Sequence, residues 1–350
     1  MKLNKMAAVL VGVAMISGLA ACGTSAEKKE TAASVSSEAP EEKALSGDLT
    51  VYTSQPEEDI QALIEVFNQK HPEITVSVFR SGTEEVVSKL LAEKQTNSVL
   101  ADVLLVADAA TFETLKKEDL LMSYQSSELE GIGSDYYDSD YMYTGTKIIS
   151  TGIISNTDMA SEPIISFKNL IEESVKDNVI MPSPLYSGAA AYNLGVLTRT
   201  DLGWEFYESL KDNGTEVVKG NGAVQTAVVA GEKACGVIVD YMALRAKADG
   251  AHVAFVYPQE GSLCVTEPIG IIKGTKKEEL AKAFVDFILS EEGQQTTSEI
   301  GYTPIKSGVA APDGFKTVDE IENLTYDINT LVETREADKE KFAELFQSQE

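Results

Sequence analysis

Leu49-Thr50-Val51-Tyr52-Thr53-Ser54-Gln55-Pro56 is the stretch from which the fold can be read. Five residues of strand character run into a Ser-Gln-Pro break, and proline suits the first turn of a helix. That helix is expected over 57–70, with Ile60, Leu63, Ile64 and Phe67 at three- and four-residue spacing and His71-Pro72 to stop it. Residues 74–79 read as a second strand. Ser81-Gly82-Thr83-Glu84 opens another helix, with Val86, Val87, Leu90 and Leu91 on its apolar face. Residues 101–106 form a continuous apolar run of the buried parallel-strand kind, followed by Asp108 and a helix over roughly 110–117. A strand-helix order repeated three times predicts a parallel sheet with right-handed crossovers.

Open α/β sheets bind ligands beyond the carboxyl ends of their strands. Here those ends carry Thr53-Ser54-Gln55, Arg80-Ser81-Gly82-Thr83 and Ala107-Asp108. Two of the three are hydroxyl-rich turns leading into helix N-termini, where free N–H groups and the positive end of the helix dipole favour an anion. Helix capping by Ser and Thr accounts for the same residues without a ligand.

Downstream, residues 141–156 are Gly/Thr-rich and extended, a long strand carrying the chain out of a first lobe. A second α/β series starts near Ser166. A short strand at 178–182 precedes Ser187-Gly188-Ala189, from which an alanine-rich helix reaches Leu197. With Ser187 at the cap and amides at Gly188 and Ala189, this is the best anion-binding candidate in the chain; tight packing of the alanines on a sheet is the alternative. Residues 221–231 read as a helix ended by glycine, and 236–241 as a strand ending in the carboxylate of Asp240 and the phenol of Tyr241. Glu267 lies in a later extended run, before an amphipathic helix over 277–289. The tail from 318 to 349 is helical in period, and its charge run 335–341 reads as solvated surface.

Twenty-nine Lys and Arg against 56 Asp and Glu give a formal charge of −27 over 350 residues. A field of that sign repels phosphodiester backbones, so no nucleic-acid partner is expected. The length calls for two lobes rather than one small core. Residues 1–21 resemble a signal peptide: a positive start, an uncharged apolar stretch, then Leu19-Ala20-Ala21 immediately before Cys22. This arrangement resembles a bacterial lipobox, which implies cleavage before Cys22 and acylation of that cysteine. An ordinary secretory signal with an incidental cysteine is the plainer alternative. Residues 22–47 are then a lipidated linker, Ser/Ala/Glu/Lys-rich and unable to bury enough apolar surface to order itself. Cys235 and Cys264 sit in apolar runs and are expected as buried free thiols rather than a disulfide.

The lipobox and spacer are followed by the opening strand, a helix ending Phe67-Asn68-Gln69-Lys70-His71-Pro72, and the turn Ser81-Gly82-Thr83. Ala101-Asp102-Val103, the crossover Gly152-Ile153-Ile154-Ser155-Asn156 and a segment from Phe284 to Gln295 complete the set. Together they resemble the extracellular solute-binding lipoproteins of bacterial ABC importers, in the ferric-iron, phosphonate and sugar-phosphate branch. The resemblance implies a two-lobed α/β fold of the periplasmic-binding-protein type II, each lobe a mixed, mostly parallel sheet flanked by helices and joined by extended hinge strands. On that reading residues 48–150 and 266–305 form lobe 1, and 151–265 and 306–350 form lobe 2. A small anionic solute clamped between the lobes by hinge closure is handed to a membrane ABC permease. The expected protein is monomeric, extracytoplasmic, anchored to the cell membrane through lipid on Cys22, and needs no cofactor.

The candidate ligand-binding residues are Ser54, Gln55, Ser81, Gly82, Thr83, Asp108, Ser187, Gly188, Ala189, Asp240, Tyr241 and Glu267. Ser81 and Ser187 are expected to face one crevice. Hydroxyls and amides suit a phosphate or phosphonate group, while Asp108, Asp240 and Glu267 can accept from sugar hydroxyls or an ammonium on the same solute. For Asp240 and Glu267 a hinge hydrogen bond is an equal alternative. A ferric ligand is the second option. The resemblance implies adjacent tyrosines at the position where this chain has Tyr241-Met242, so Tyr241, Asp240 and Glu267 are left as the metal donors. An enzyme is not expected, because neither Gly-x-Ser-x-Gly nor His-Glu-x-x-His occurs and His71 and His252 have no plausible nucleophile near them in sequence.

Overall fold

The computed structural model describes residues 45–159 and 164–347. Cys22, the leader 1–21 and the linker up to residue 44 lie outside the described residues. The chain enters through β1 (Gly47–Thr53), α1 (Glu57–Lys70), β2 (Ile74–Arg80), α2 (Thr83–Gln95), β3 (Val103–Leu105), α3 (Ala109–Lys117) and β4 (Leu121–Met122). β5 (Thr144–Gly145) and β6 (Lys147–Asn156) form the way out of this half. Beyond them come β7 (Val179–Pro182), α4 (Gly188–Leu197), α5 (Gly203–Asp212), β8 (Glu216–Val218), α6 (Asn221–Val229) and β9 (Cys235–Val239). α7 (Asp240–Ala248), β10 (Val253–Val256) and β11 (Ser262–Val265) finish the second half. β12 (Pro268–Ile272), α8 (Glu278–Leu289), α9 (Glu291–Glu299), β13 (Thr303–Pro304), β14 (Asn323–Leu324) and α10 (Ile328–Gln347) close the chain.

Two sheets result, one per lobe. The six-stranded sheet runs β2-β1-β3-β12-β4 with β5 on β12, and its β1, β2 and β3 are parallel, as the repeat of strand and helix predicts. The eight-stranded sheet runs β14-β11-β6-β9-β7-β8, with β10 and β13 also paired to β6. The chain crosses out between β5 and β6 and returns between β11 and β12. The two crossings are tied to each other: Thr146 N–H donates to the Thr266 carbonyl at 3.0 Å, and Thr146 Oγ1 to the Glu267 carbonyl at 2.8 Å.

Each lobe has its own apolar core. Ile60, Leu63, Ile64 and Phe67 of α1 pack with Phe284, Phe287 and Ile288 of α8 over the first sheet, the rings of Phe67 and Phe284 meeting edge-on at 5.1 Å. Burying a side chain of this size contributes about 1.5–3 kcal/mol. The second core gathers Phe167, Leu194, Phe206 and Tyr207 with Leu331 and Phe342 of α10. Cys235 and Cys264 are free, and burial pushes both thiols up to about 12.

Three local expectations change. The strand read over 236–241 stops at Val239, and Asp240 and Tyr241 begin α7. An acidic first residue favours a helix start, and Asp240 Oδ1 accepts the Tyr241 N–H at 2.8 Å. The tail is not helical throughout 318–349: the α-helix is confined to α10, after a short turn at Val318–Glu320 and β14, which pairs parallel with β11. Nor is the 335–341 run simply solvated surface, since Arg335 and Lys339 are ion-paired to the first lobe.

Candidate functional site

The strand ends of both sheets meet at a cavity of about 320 Å³, inside the ~300–1,000 Å³ range of small-molecule sites. The first lobe contributes Ser54 after β1, Arg80 at the end of β2, Gly82 and Thr83 at the start of α2, and Ala107 after β3. From the second lobe come Tyr186 through Ala189 at the start of α4, Lys219 through Ala223 at the start of α6, and Tyr241 and Met242 at the start of α7. Glu267 closes the wall from the hinge. The N-termini of α2, α4 and α6 therefore border one space. The first N–H groups of a helix have no acceptor within it, and each N-terminus carries the equivalent of about half a positive charge.

The lobes are in contact. Glu84 N–H donates to the Tyr186 carbonyl across the cleft at 3.3 Å. A Cβ on Gly82 would lie 2.6 Å from the Tyr186 ring, and one on Gly188 would lie 2.6 Å from the Ala107 carbonyl oxygen and 2.8 Å from the Thr83 side chain. Both glycines are required by this approach, not by backbone conformation. Ser187 caps α4, its Oγ accepting from Ala190 N–H at 3.3 Å and from Asn221 Nδ2 at 3.4 Å. Asn221 in turn accepts the Val239 N–H at 3.3 Å, so one side chain ties α4, α6 and β9 together at the wall.

Two cations serve the cavity. Arg80 is steadied by its Nε–H donating to the Gln55 carbonyl at 2.9 Å. Lys219 lies over the Tyr186 ring, 4.4 Å from its centre, and pairs with Glu85 of α2 at 3.0 Å. The carboxylate on the wall, Glu267, is buried against buried Lys147 and accepts from Ser54 Oγ at 3.4 Å. Behind the wall, the Arg245 guanidinium sits 4.7 Å from the ring centres of Tyr241 and Tyr302 and holds both oxygens of Asp59 at 3.0 Å. Among the described residues no group of three or more His, Cys, Asp or Glu side chains is placed to hold a metal ion.

The sequence profile of the bacterial extracellular solute-binding protein family matches residues 62–323. The chain belongs to that family. Solute-binding proteins of this kind serve ABC importers: they bind a small solute, act outside the cytoplasm and deliver it to a membrane permease, and they are binding proteins rather than enzymes. Among solved structures, the periplasmic binding protein AfuA from Actinobacillus pleuropneumoniae, with exogenous fructose-6-phosphate bound, is similar at 21% identity. The match covers 86% of this chain and 98% of that one, with a TM-score of 0.79. Iron-bound HitA from Pseudomonas aeruginosa is similar at 20% identity over 84% and 99% of the two chains, with a TM-score of 0.75. The ABC-transporter substrate-binding protein from Agrobacterium tumefaciens shares 15% identity over 87% and 95%, with a TM-score of 0.77. These likenesses establish the two-lobed periplasmic-binding-protein type II fold. No curated protein matches the sequence. Among the described residues no helix is long and apolar enough to cross a membrane.

In this solute-binding protein eight of the residues singled out from sequence border the cavity: Ser54, Gly82, Thr83, Ser187, Gly188, Ala189, Tyr241 and Glu267. Four do not. Ser81 turns its hydroxyl to Glu85 rather than to the crevice that Ser187 borders, although the next two residues line it. Gln55 is buried with its side-chain amide unpartnered, and only its carbonyl serves the site, by holding Arg80. Asp108 caps α3, accepting from Thr111 N–H at 3.1 Å, and pairs with Arg335. Burial pushes its carboxyl up, against the pull of Arg335. Asp240 accepts the backbone N–H of Ser150 at 3.2 Å besides that of Tyr241, and full burial pushes its carboxyl up to about 7. Tyr186, Lys219 and Asn221 line the cavity without having been singled out, and so does Arg80, which the sequence places at a strand end but not among the candidate ligand-binding residues. Arg80 closes a strand that ends at a helix-opening turn, a signal the sequence did contain.

Proposed function

We propose that this protein captures a small phosphate- or phosphonate-bearing organic solute, such as a sugar phosphate or an aminoalkylphosphonate, by closure of the two lobes. One observation carries this: the N-termini of α2, α4 and α6 converge with Arg80 and Lys219 on one cavity, a concentration of donors and positive charge in a chain of net charge −27. Glu267 and Ser54 supply acceptors at the same wall for hydroxyls or an ammonium on the solute. The ferric alternative is less well served. Tyr241 lies against the Arg245 guanidinium, Asp240 is spent on backbone N–H groups away from the cavity, and Glu267 is paired with Lys147. The leader and Cys22 support a lipid anchor on the outer side of the cell membrane.

Native mass spectrometry of the protein as purified, followed by calorimetric titration with a hexose phosphate, an aminoalkylphosphonate and ferric citrate, tests the reading. Saturable binding of a phosphorylated or phosphonylated solute is expected. Failure of all such solutes, together with a visible iron-phenolate band that vanishes in Tyr241→Phe, overturns it.

A further inference from the structure

α10 runs along α4 of the second lobe and also along α3 of the first, and its apolar anchors belong to the second. Its Leu331 and Phe342 lie in that lobe's core, and Asp338 pairs with Arg199 just past α4 at 2.8 Å. From this base, two side chains one turn apart reach the first lobe. Arg335 donates to Glu84 Oε1 at 2.7 Å and to Asp108 Oδ2 at 3.1 Å, while Lys339 donates to Glu84 Oε2 at 2.7 Å. The Arg335 side chain is 9% exposed, Glu84 13% and Asp108 1%, so this is a desolvated cluster rather than a surface pair. Its acidic members adjoin cavity residues in the chain: Glu84 follows Thr83, and Asp108 follows Ala107.

We infer that Arg335 and Lys339 form a closure latch, a second interlobe grip away from the solute that sets how strongly the closed form is favoured. The two basic groups stand on one lobe and the two acidic groups on the other, so swinging the lobes apart separates them. Separation returns all four charges toward water, and closure recovers charge-assisted hydrogen bonds that are shielded from salt by burial. The first turn of α2 is held on both flanks, since neighbouring Glu85 pairs with Lys219 of the second lobe at the cleft mouth. A solute that draws Gly82 and Thr83 toward α4 therefore brings Glu84 onto Arg335, and the latch in turn holds the solute's half-site in place. These residues are positioning residues: none of the four borders the cavity.

The inference rests on lobe closure and not on the identity of the solute, and its test needs no solute. Spin labels at exposed Glu65 of α1 and Glu208 of α5 report the interlobe distance in the purified, solute-free protein by double electron–electron resonance. Arg335→Gln is expected to lower the ratio of closed to open molecules about tenfold to a hundredfold, as befits the loss of hydrogen bonds between charged groups. Lys339→Gln, at a less buried position, is expected to act in the same direction by less. Distance distributions in both variants identical to the wild type's, whether or not the melting temperature falls, would show the cluster to be ordinary packing glue and overturn the latch. Should Arg335→Gln fail to fold, Lys339→Gln and Glu84→Gln decide the matter by the same readout. A failure to bind phosphorylated solutes leaves this measurement untouched.

Discussion

Gly188→Ala is expected to separate affinity from stability, as a closing cleft requires. The added methyl would lie 2.6 Å from the Ala107 carbonyl oxygen and 2.8 Å from the Thr83 side chain, both on the opposite lobe, whereas ordinary contact begins near 3.4 Å. The closed lobes must therefore part by roughly 0.8 Å or strain around the intrusion, and overpacking of this kind costs about 1–3 kcal/mol. Only the closed form bears that cost. In the open form the substituted position is simply the first residue of α4, and within a helix alanine is favoured over glycine by about 0.5–1 kcal/mol. The solute-free variant is thus expected to melt at or slightly above the wild-type temperature, while its dissociation constant rises roughly 5- to 150-fold. Calorimetric titration with a solute that the wild type binds, beside a thermal melt of the solute-free protein, reads both quantities. An unchanged dissociation constant refutes the placement of α4 against the first lobe. Weakened binding together with a lowered melting temperature refutes the claim that the open form tolerates the methyl.

Arg80→Ala is expected to weaken binding about 10- to 150-fold, the range for a hydrogen bond between charged groups, and Arg80→Lys to recover part of it because a single ammonium cannot match the guanidinium fork; titration of both variants decides this. Asp240 gives a pH signature. Its carboxyl is raised from an ordinary value of 3.8 to about 7 by burial, so the folded state binds more protons than the unfolded chain between those values. Its contribution is thus most favourable at low pH and is lost as pH climbs toward 7. Denaturant melts at pH 5 and pH 8 are expected to show a smaller loss of stability in Asp240→Asn than in the wild type, and equal losses would contradict the assignment.

The first lobe is legible in the sequence because its signals are local. Ile60, Leu63, Ile64 and Phe67 repeat at helical spacing within one helix, and 101–106 is apolar throughout, so β1 to α3 can be placed without any tertiary contact. The glycines and serines at the strand ends are legible for the same reason, as caps at turns. What escapes is long-range. Arg335 looks like one more charge on a polar helix, and its partner Asp108 is 227 residues away. Lys147 reads as the start of a hydrophobic strand, and nothing near it announces burial beside Glu267, which sits at a hinge turn with φ of +36°. Asp240 fails in the opposite direction. A strand followed by a carboxylate and a phenol is equally the description of a helix start, and only the N–H groups of Ser150 and Tyr241 show which use the oxygen has.

A chain of charge −27 gathers an anion only if local groups outweigh the global field. At physiological ionic strength charges more than about 8 Å apart across water are largely screened, so the distant surface acids count for little at the wall, and the helix N-termini, Arg80 and Lys219 dominate there. Glu267 is the one carboxylate among the lining residues, and it arrives with its own countercharge, since buried Lys147 pairs with it and rests 4.7 Å from the centre of the Tyr302 ring. The cavity therefore has a donor-rich side and an acceptor side. Inorganic phosphate satisfies the first and leaves Glu267 and Ser54 without new partners, whereas an organic phosphate with hydroxyls or an ammonium meets both. Each hydrogen bond that the organic portion adds to these groups contributes about 1 kcal/mol net, so a hexose phosphate or aminoalkylphosphonate is expected to bind at least about fivefold more tightly than inorganic phosphate. Competition titration measures the ratio. Glu267→Gln distinguishes the cause: the preference shrinks if Glu267 reads the organic portion, and stays intact if size alone selects the solute.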